Sequence, residues 1–166
     1  LILMGYLNPI MKFGFEAFCQ KCVECGIDGV IIPDLPFKDY EETYKPIANR
    51  YDIRVIMLIT PETSEARVRE IDEHTDGFIY MVSSAATTGA QKDFDSQKQA
   101  YFKKIQDMHL RNPRMVGFGI SNKQTFDAAC ANSSGAIIGS RFVTLLNEAE
   151  GDAEKAITQL KEGLKK

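Results

Sequence analysis

The stretch from Met115 to Arg141 reads MVGFGISNKQTFDAACANSSGAIIGSR and contains one pattern twice. A short apolar run ends at Gly117-Phe118-Gly119, and a helical pattern begins after polar Ser121. A second apolar run, residues 136–138, ends at Gly139-Ser140 and is again followed by a helical pattern. A strand, a glycine turn and a helix N-terminus together present free backbone N–H groups to an anion.

The two glycine turns lie about twenty residues apart and follow consecutive apolar runs. If those runs are neighbouring parallel strands, both turns reach the same edge of the sheet and can converge on one phosphate group. The other interpretation is that these are ordinary strand-to-helix turns, in which glycine serves only the backbone geometry. The residues of this stretch leave both interpretations open.

Length and composition narrow the classes of protein to consider. The chain has 166 residues, 44% of them hydrophobic and 26% charged, which is typical of one globular domain with a core of its own. The formal net charge is −3, and no basic stripe is present, so we do not expect a nucleic-acid partner. No apolar run approaches the roughly 20 residues that span a bilayer, so we expect no membrane segment.

The cysteines raise the question of a metal site. Cys19, Cys22 and Cys25 follow a C-x₂-C-x₂-C spacing that also occurs in iron–sulfur proteins. Cluster ligands of that kind come from loops, whereas these three belong to a helical pattern that ends at Gly26. The sequence therefore favours buried structural thiols, and we predict no metal site.

The rest of the chain alternates between apolar runs and helical patterns. The predicted strands before the quoted stretch are residues 1–6, 29–32, 53–59 and 77–82. We expect Asn8-Pro9 to break the chain after the first of them. The predicted helices outside the quoted stretch are residues 13–25, 39–51, 64–73, 97–110 and 152–164, and residues 83–96 are predicted to be a polar loop. Gly26 is predicted to be the C-terminal cap of the first of these helices, and Ser64 the N-terminal cap of the third. Continuous apolar strands are typical of parallel sheets buried on both faces.

This alternation predicts a parallel α/β fold of about six β–α units. A closed (β/α)₈ TIM barrel needs eight strands and about 250 residues, so the chain corresponds to about three quarters of one. We expect residues 1–166 to form a single partial TIM-barrel domain. Since the sequence opens inside an apolar run, Leu1-Ile2-Leu3-Met4, we also expect the N-terminal part of the barrel to be missing.

Five motifs in order resemble those of one family, the alpha subunit of tryptophan synthase. They are MGYLNP at 4–9, GVIIPDLP at 29–36, TGA at 88–90, GFGIS at 117–121 and GS at 139–140. Each motif is weak by itself, but all five occur at the spacing of the family and extend over nearly the whole chain. The resemblance places the strands of this chain as strands three to eight of the family's barrel.

The resemblance implies a lyase of tryptophan biosynthesis in the cytoplasm. Its reaction is a retro-aldol cleavage of indole-3-glycerol phosphate into indole and glyceraldehyde 3-phosphate. No metal or organic cofactor is implied for this subunit. The implied partner is a beta subunit, which holds pyridoxal phosphate and receives the indole within an α₂β₂ heterotetramer.

The resemblance also carries over site residues, position by position. Those implied to bind the substrate phosphate are Gly89, Gly119, Gly139 and Ser140. Those implied to line the substrate pocket are Tyr6, Leu58 and Tyr80, although core packing is the alternative for each of them. Thr88 is implied to anchor a closing loop, and Asp34 to contact the partner subunit. Arg141 departs from the family, which has a small residue there, and we expect its side chain to point to water.

The chemistry requires an acid to protonate the indole ring and a base to accept a proton as the carbon–carbon bond breaks. In the family both groups are carboxylates on strand two and in the loop after it, so we expect them upstream of Leu1. His74 and His109 fall near the ends of outer helices, away from the catalytic face of a barrel. We therefore predict no catalytic residue in this chain, and we expect these 166 residues alone to be inactive.

Two alternatives remain. The chain could belong to another phosphate-binding barrel enzyme, of the indole-glycerol-phosphate synthase or ribulose-phosphate epimerase type. Those enzymes would need a catalytic lysine or histidine metal ligands on strands, and neither is found on the predicted strands. It could also be a non-catalytic partial barrel that binds only phosphate or a partner chain.

Overall fold

The computed structural model describes residues 1–83, 91–117 and 119–165, with only the backbone given for 91–95. Strands and helices alternate along these ranges, as predicted. The chain forms two compact units. The first comprises Leu1–Ile59 and Thr63–Tyr80, and the second comprises Thr60–Glu62 and Met81–Lys166.

The first unit contains a parallel sheet of three strands, β1 (Ile2–Met4), β2 (Gly29–Ile31) and β3 (Arg54–Ile56), in that order. The central strand β2 is buried along its whole length, whereas all three residues of β1 are exposed at the sheet edge. Gly29 is needed for close strand packing, because a Cβ atom there would lie 2.9 Å from the carbonyl oxygen of Arg54.

Helices cover this sheet and fill the connections between its strands. Those of the first unit are α1 (Leu7–Phe13), α2 (Phe15–Glu24), α3 (Phe37–Asp39), α4 (Lys45–Arg50) and α5 (Glu65–His74). A π-helical turn, Tyr40–Tyr44, joins α3 to α4. Pro46 lies in the first turn of α4, where its missing N–H costs nothing.

The first predicted helix begins too late. We expected Asn8-Pro9 to break the chain and a helix to start at Phe13, whereas α1 already starts at Leu7. Proline is compatible with a first helical turn, since the N–H groups there have no acceptor within the helix. Gly14, at φ 96°, then separates α1 from α2.

Helix α2 packs through the side that carries two of its cysteines. Phe15, Cys19 and Cys22 are buried. The Phe15 ring packs edge-on against the Tyr44 ring, with 4.7 Å between the ring centroids. The helix ends before Gly26, whose φ of 68° is the left-handed conformation predicted for its C-terminal cap. The cysteine spacing thus follows from helix packing.

The predicted strand 53–59 is interrupted. Its first part is β3, but Leu58–Ile59 forms a separate strand, β4, which belongs to a second sheet. The break falls at buried Met57, whose carbonyl oxygen accepts a hydrogen bond from the backbone N–H of Tyr80 at 3.0 Å. A continuous apolar run cannot indicate such a change of neighbour, because its pairing partners lie far away in sequence.

The second sheet has the order β4-β5-β6-β7, with β5 at Ile79–Val82, β6 at Arg114–Gly117 and β7 at Gly135–Ala136. The boundary between the two units falls within β5. The helices of the second unit are α6 (Gln91–Asp107), α7 (Lys123–Cys130), α8 (Ser140–Glu148) and α9 (Ala153–Gly163).

Helix α6 is longer than predicted. It begins at Gln91, inside the stretch 83–96 that we expected to be a loop. Polar composition misled the prediction here, since glutamine and lysine are good helix formers even where no apolar face is evident. At the other end of the unit, α8 and α9 pack through buried Leu145, Ala149 and Ala156.

None of the described helices is both long enough and apolar enough to cross a bilayer.

Candidate functional site

Strands β6 and β7 bring the two glycine turns to one edge of the second sheet. The strands are parallel, and Met115 pairs with Gly135 and Val116 with Ala136. The ladder continues with a 2.7 Å hydrogen bond from the N–H of Ile137 to the carbonyl oxygen of Val116. The parallel pairing predicted from the two apolar runs is therefore confirmed. Each paired residue of β6 lies opposite the residue of β7 that is twenty positions later in the sequence. The two glycine turns therefore follow their strands at the same edge of the sheet.

Gly119 is glycine because of its backbone. Its φ is 76°, a left-handed conformation that side chains rarely adopt. A Cβ atom at this position would find its nearest neighbour, the Ser83 hydroxyl oxygen, at an ordinary 3.8 Å. The requirement at this turn is therefore conformational and not steric.

Gly139 is different. Its φ of −102° is open to every residue type, and a Cβ atom added there would meet nothing within 4 Å. Neither backbone strain nor packing within the protein thus demands a glycine before α8. The missing side chain leaves an exposed, open approach to the helix N-terminus.

Ser140 is the first residue of α8 and is exposed. The first N–H groups of a helix have no acceptor within the helix, and the helix dipole adds partial positive charge there. The first turn of α8 carries no acidic side chain. The Ser140 hydroxyl and these N–H groups therefore form a small donor cluster suited to an anion.

We expected the Arg141 side chain to point to water, but it lies next to an acidic side chain. Its guanidinium lies 3.7 Å from the Glu148 carboxylate, on the same helix. Its side chain also lines a cavity of about 180 Å³ beside Leu145, Leu160 and Asn122. The guanidinium therefore lies along α8, beside Glu148.

Ser83 is a candidate that sequence reasoning missed. It follows β5 directly, is buried, and its N–H donates to the carbonyl oxygen of Gly117 at 3.1 Å. It lines a cavity of about 440 Å³ that Gly119, Lys98 and Phe102 also line. The signal was available, since Ser83 is the first polar residue after an apolar strand, at the strand end where barrels carry their sites.

The three residues expected in the substrate pocket belong to the first unit and differ in environment. Tyr6 is 67% exposed and lies just before α1, so it is not a core residue. Tyr80 is buried in β5, and burial raises the pKa of its phenol above the ordinary value. Leu58 is partly buried and lines a cavity of about 320 Å³ that neither tyrosine lines.

Asp34 is a loop anchor in this structure. Its carboxylate accepts a hydrogen bond from the backbone N–H of Leu7 at 2.9 Å, at the start of α1. The side chain remains at the surface of the first unit. Two further predicted residues, Thr88 and Gly89, lie outside the described residues.

The described residues contain no group of three or more histidine, cysteine, aspartate or glutamate side chains that could hold a metal ion. The pKa of the Cys19 thiol is raised to about 11. Burial is the largest cause, and the neighbouring Cys22 and Glu16 add to it. A thiol of that kind is a poor ligand and a poor nucleophile, since the thiolate is the reactive form. His74 is engaged elsewhere, with its Nδ1 atom 2.5 Å from the Glu41 carboxylate.

Comparison with known proteins decides between the alternatives. A family model described as "Tryptophan synthase alpha chain" matches residues 1–166. The chain belongs to the tryptophan synthase alpha chain family. The resemblance seen in the five sequence motifs is thereby confirmed.

Individual members of this family are similar over nearly the whole chain. The alpha chain of Bacteroides fragilis is 80% identical over 161 residues, which are 97% of this chain and 61% of that protein. The alpha chain of Bacteroides thetaiotaomicron is 78% identical over 165 residues, which are 99% of this chain and 64% of the relative. The chain thus spans somewhat less than two thirds of the length of these relatives.

Solved structures agree with the sequence comparison. The tryptophan synthase alpha subunit of Campylobacter jejuni superimposes with a TM-score of 0.81 at 30% identity, covering 98% of this chain and 64% of that one. A chain of the Pyrococcus furiosus tryptophan synthase complex gives a TM-score of 0.79 at 25% identity, with the same coverage. The predicted parallel α/β fold is confirmed by this similarity.

Proposed function

We propose that the whole protein cleaves indole-3-glycerol phosphate into indole and glyceraldehyde 3-phosphate by a retro-aldol reaction. Membership of the alpha chain family supports this proposal. The observation in this chain that carries it is the pair of glycine turns after β6 and β7, which share one sheet edge because Val116 pairs with Ala136.

The phosphate of the substrate is the part that these residues address most directly. We assign its binding to the backbone N–H groups around Gly119, Gly139 and Ser140, together with the Ser140 hydroxyl. Gly89 completes the proposed set, although it lies outside the described residues. The open space around Gly139 supports this assignment, because a phosphate ester needs close access to backbone N–H groups. Each charge-assisted hydrogen bond of this kind contributes about 1.5–3 kcal/mol.

The indole end of the substrate requires flat apolar walls, and for that role we retain Tyr6 and Leu58. Tyr80 is the third residue of the first unit that we assign to the substrate pocket. The buried phenol of Tyr80 supports a place beside the glycerol chain, where a neutral hydroxyl can donate a hydrogen bond. Leu58 is partly buried at the start of β4, and Tyr6 has an exposed ring that can cover a ligand.

Closure and assembly complete the proposal. Thr88 would anchor a loop that closes over the substrate and expels water. Asp34 would contact a beta subunit, which would hold pyridoxal phosphate and take up the indole in an α₂β₂ complex. This subunit itself would need no cofactor. The similarity to a chain of the Pyrococcus furiosus tryptophan synthase complex supports such a partner.

The architecture we propose is a (β/α)₈ barrel in which this chain supplies strands three to eight as one domain, residues 1–166. The repeated strand–helix order and the parallel pairs β1-β2-β3 and β6-β7 support it. We assign no acid or base for the carbon–carbon cleavage to these residues. The activity is proposed for the full-length protein, with the cytoplasm as its location.

A charge-reversal experiment tests the proposal. Ser140→Asp places a carboxylate where the phosphate would bind, so the full-length protein should lose measurable affinity for glycerol 3-phosphate in calorimetry. Indole release from indole-3-glycerol phosphate should fall with it. Asn147→Asp adds the same charge to the exposed far end of α8 and serves as the matched control.

Unchanged glycerol 3-phosphate binding in Ser140→Asp would overturn the phosphate assignment. Absence of indole release from the wild-type full-length protein would overturn the proposed reaction, even if the phosphate ester binds. The two measurements therefore judge the site and the chemistry separately.

A further inference from the structure

A second cavity lies wholly within the first unit, between the loop after β2 and the N-terminus of α5. Its volume is about 320 Å³, at the lower end of the range for small-molecule sites. The residues that line it are all described: Ile32, Pro33, Leu35, Pro36, Phe37, Lys38, Met57, Leu58, Thr63, Arg67 and Ile71. None of the proposed phosphate-binding residues is among them.

The floor of this cavity is apolar. Ile32, Leu35, Met57 and Ile71 are each no more than 7% exposed, and the Phe37 ring forms part of the wall. Such a surface gains free energy when an apolar group displaces water from it. A cavity of this volume has room for a group of about the size of one aromatic ring.

The rim has the opposite character, because it is cationic. Arg67 places its guanidinium 4.9 Å from the centroid of the Phe37 ring, and Lys38 also lines the cavity, with a side chain that is 77% exposed. Their carboxylate partners are outside the cavity: Glu70 lies 2.8 Å from Arg67, and Glu42 lies 3.8 Å from Lys38. Of the residues that line the cavity, none is acidic.

The start of α5 adds to this positive rim. Ser64 caps the helix by accepting a hydrogen bond from the N–H of Arg67 at 3.3 Å, while Thr63 lines the cavity wall. This ten-residue helix therefore begins at the cavity, and its N-terminal end carries partial positive charge. Glu65 lies in the same first turn but does not line the cavity. Two cations and a helix start next to an apolar floor complement a ligand that is acidic at one end and apolar at the other.

We propose that this cavity binds a small aromatic carboxylate, with the ring against Ile32, Met57 and Ile71 and the carboxylate held by Arg67 and Lys38. Arginine suits this role because its planar fork pairs with both carboxylate oxygens. The Phe37 ring keeps the guanidinium at the rim through its cation–π contact. Leu58 on the wall of this cavity is also assigned to the proposed indole pocket. Arg67 and Lys38 have no part in the proposed reaction, so the inference does not depend on that reaction.

Calorimetric titration of the full-length protein with phenylacetate tests this inference. Benzyl alcohol has the aromatic ring without the negative charge, and acetate has the negative charge without the ring. Both should bind at least about tenfold more weakly than phenylacetate, a difference of about 1.4 kcal/mol. Titration is repeated in Ser140→Asp, which removes the proposed phosphate site. Binding that persists in this variant does not belong to that site.

Two variants and a matched control locate the ligand. Arg67→Met and Lys38→Met keep much of the side-chain length but remove the charge, and each should weaken phenylacetate binding about tenfold. Arg69→Met removes a cation from the same helix that does not line the cavity, and it should leave the affinity unchanged. Circular dichroism verifies that all variants remain folded.

The proposal is overturned if the wild-type protein does not bind phenylacetate, or if acetate or benzyl alcohol binds equally well. It is also overturned if Arg69→Met weakens binding as much as Arg67→Met does, since that would show general attraction by surface charge. Loss of binding in Ser140→Asp with full binding in Arg67→Met would assign the ligand to the phosphate site instead.

Discussion

The carboxylate of Asp34 accepts a hydrogen bond from the backbone N–H of Leu7 at 2.9 Å. It thereby satisfies one of the N–H groups at the start of α1 that no helical carbonyl can reach, and Tyr6 before the helix offers no side-chain cap. Two loops that are 27 residues apart in sequence are tied together by this bond.

The first prediction concerns this bond. Asp34→Ala should lower the free energy of unfolding by about 1 kcal/mol, the usual contribution of such a cap, as measured by chemical denaturation. Asp34→Asn keeps an acceptor oxygen and should lose less. If Asp34→Asn keeps its stability but loses affinity for the beta subunit, Asp34 also serves the proposed interface. Wild-type stability in Asp34→Ala would contradict the capping role.

The two glycines of the candidate phosphate site should respond differently to alanine. Gly119→Ala should lower the free energy of unfolding by about 1–2 kcal/mol, because φ is 76° at this residue. Gly139→Ala should cost less than about 1 kcal/mol, since its backbone is unstrained and its surroundings are open. Denaturation of both variants checks this difference.

Ligand binding should be sensitive to alanine at Gly139, although the stability of the protein is not. The added methyl group would occupy the open approach to α8, so glycerol 3-phosphate should bind to Gly139→Ala at least about tenfold more weakly. Calorimetry on the folded variant measures this loss. A Gly139→Ala protein with wild-type affinity would show that the open space around this residue has no role in binding.

A third prediction concerns pH and the contact of Glu41 with His74 and Lys45. Burial alone raises the pKa of Glu41, but hydrogen bonds with Lys45 at 2.7 Å and with His74 at 2.5 Å outweigh it and lower the pKa below its ordinary value of 4.5. A lowered folded-state pKa stabilises the protein above the unfolded pKa, and this contribution is lost as pH falls through the folded value.

Glu41→Gln should therefore lower the free energy of unfolding by about 1 kcal/mol at pH near 7, and by less at pH near 3. Thermal or chemical denaturation at both pH values measures the difference. Glu42→Gln is the matched control, since its carboxylate is 64% exposed and lies 3.8 Å from Lys38. A penalty in Glu41→Gln that is equal at both pH values would contradict the linkage.

The cysteines of α2 should differ in reactivity. Cys19 and Cys22 are buried, and burial raises the pKa of both thiols, that of Cys19 to about 11. Cys25 is exposed at the end of the helix. Iodoacetamide at neutral pH should alkylate Cys25 first and leave Cys19 and Cys22 unmodified until the protein unfolds, as read by peptide mass spectrometry. Equal labelling of all three would show that α2 opens readily.

Local sequence determined much of this protein. The apolar runs at Val116 and Ala136, the serine cap at Ser64 and the glycine cap at Gly26 all lie where they were predicted. These features rest on backbone geometry and on contacts within a few residues, which the order of residue types specifies directly. The family could be recognised for the same reason, because its motifs are short and ordered.

Tertiary structure decided the features that depend on distant partners. The run 53–59 divides at Met57 because its carbonyl is taken by Tyr80, and α1 begins at Leu7 with Asp34 as acceptor. Ser83 becomes a candidate site residue only when β6 places Gly119 beside it. Hydrogen-bond partners and neighbouring strands are chosen by packing across long sequence separations. A pattern confined to one segment does not contain that information.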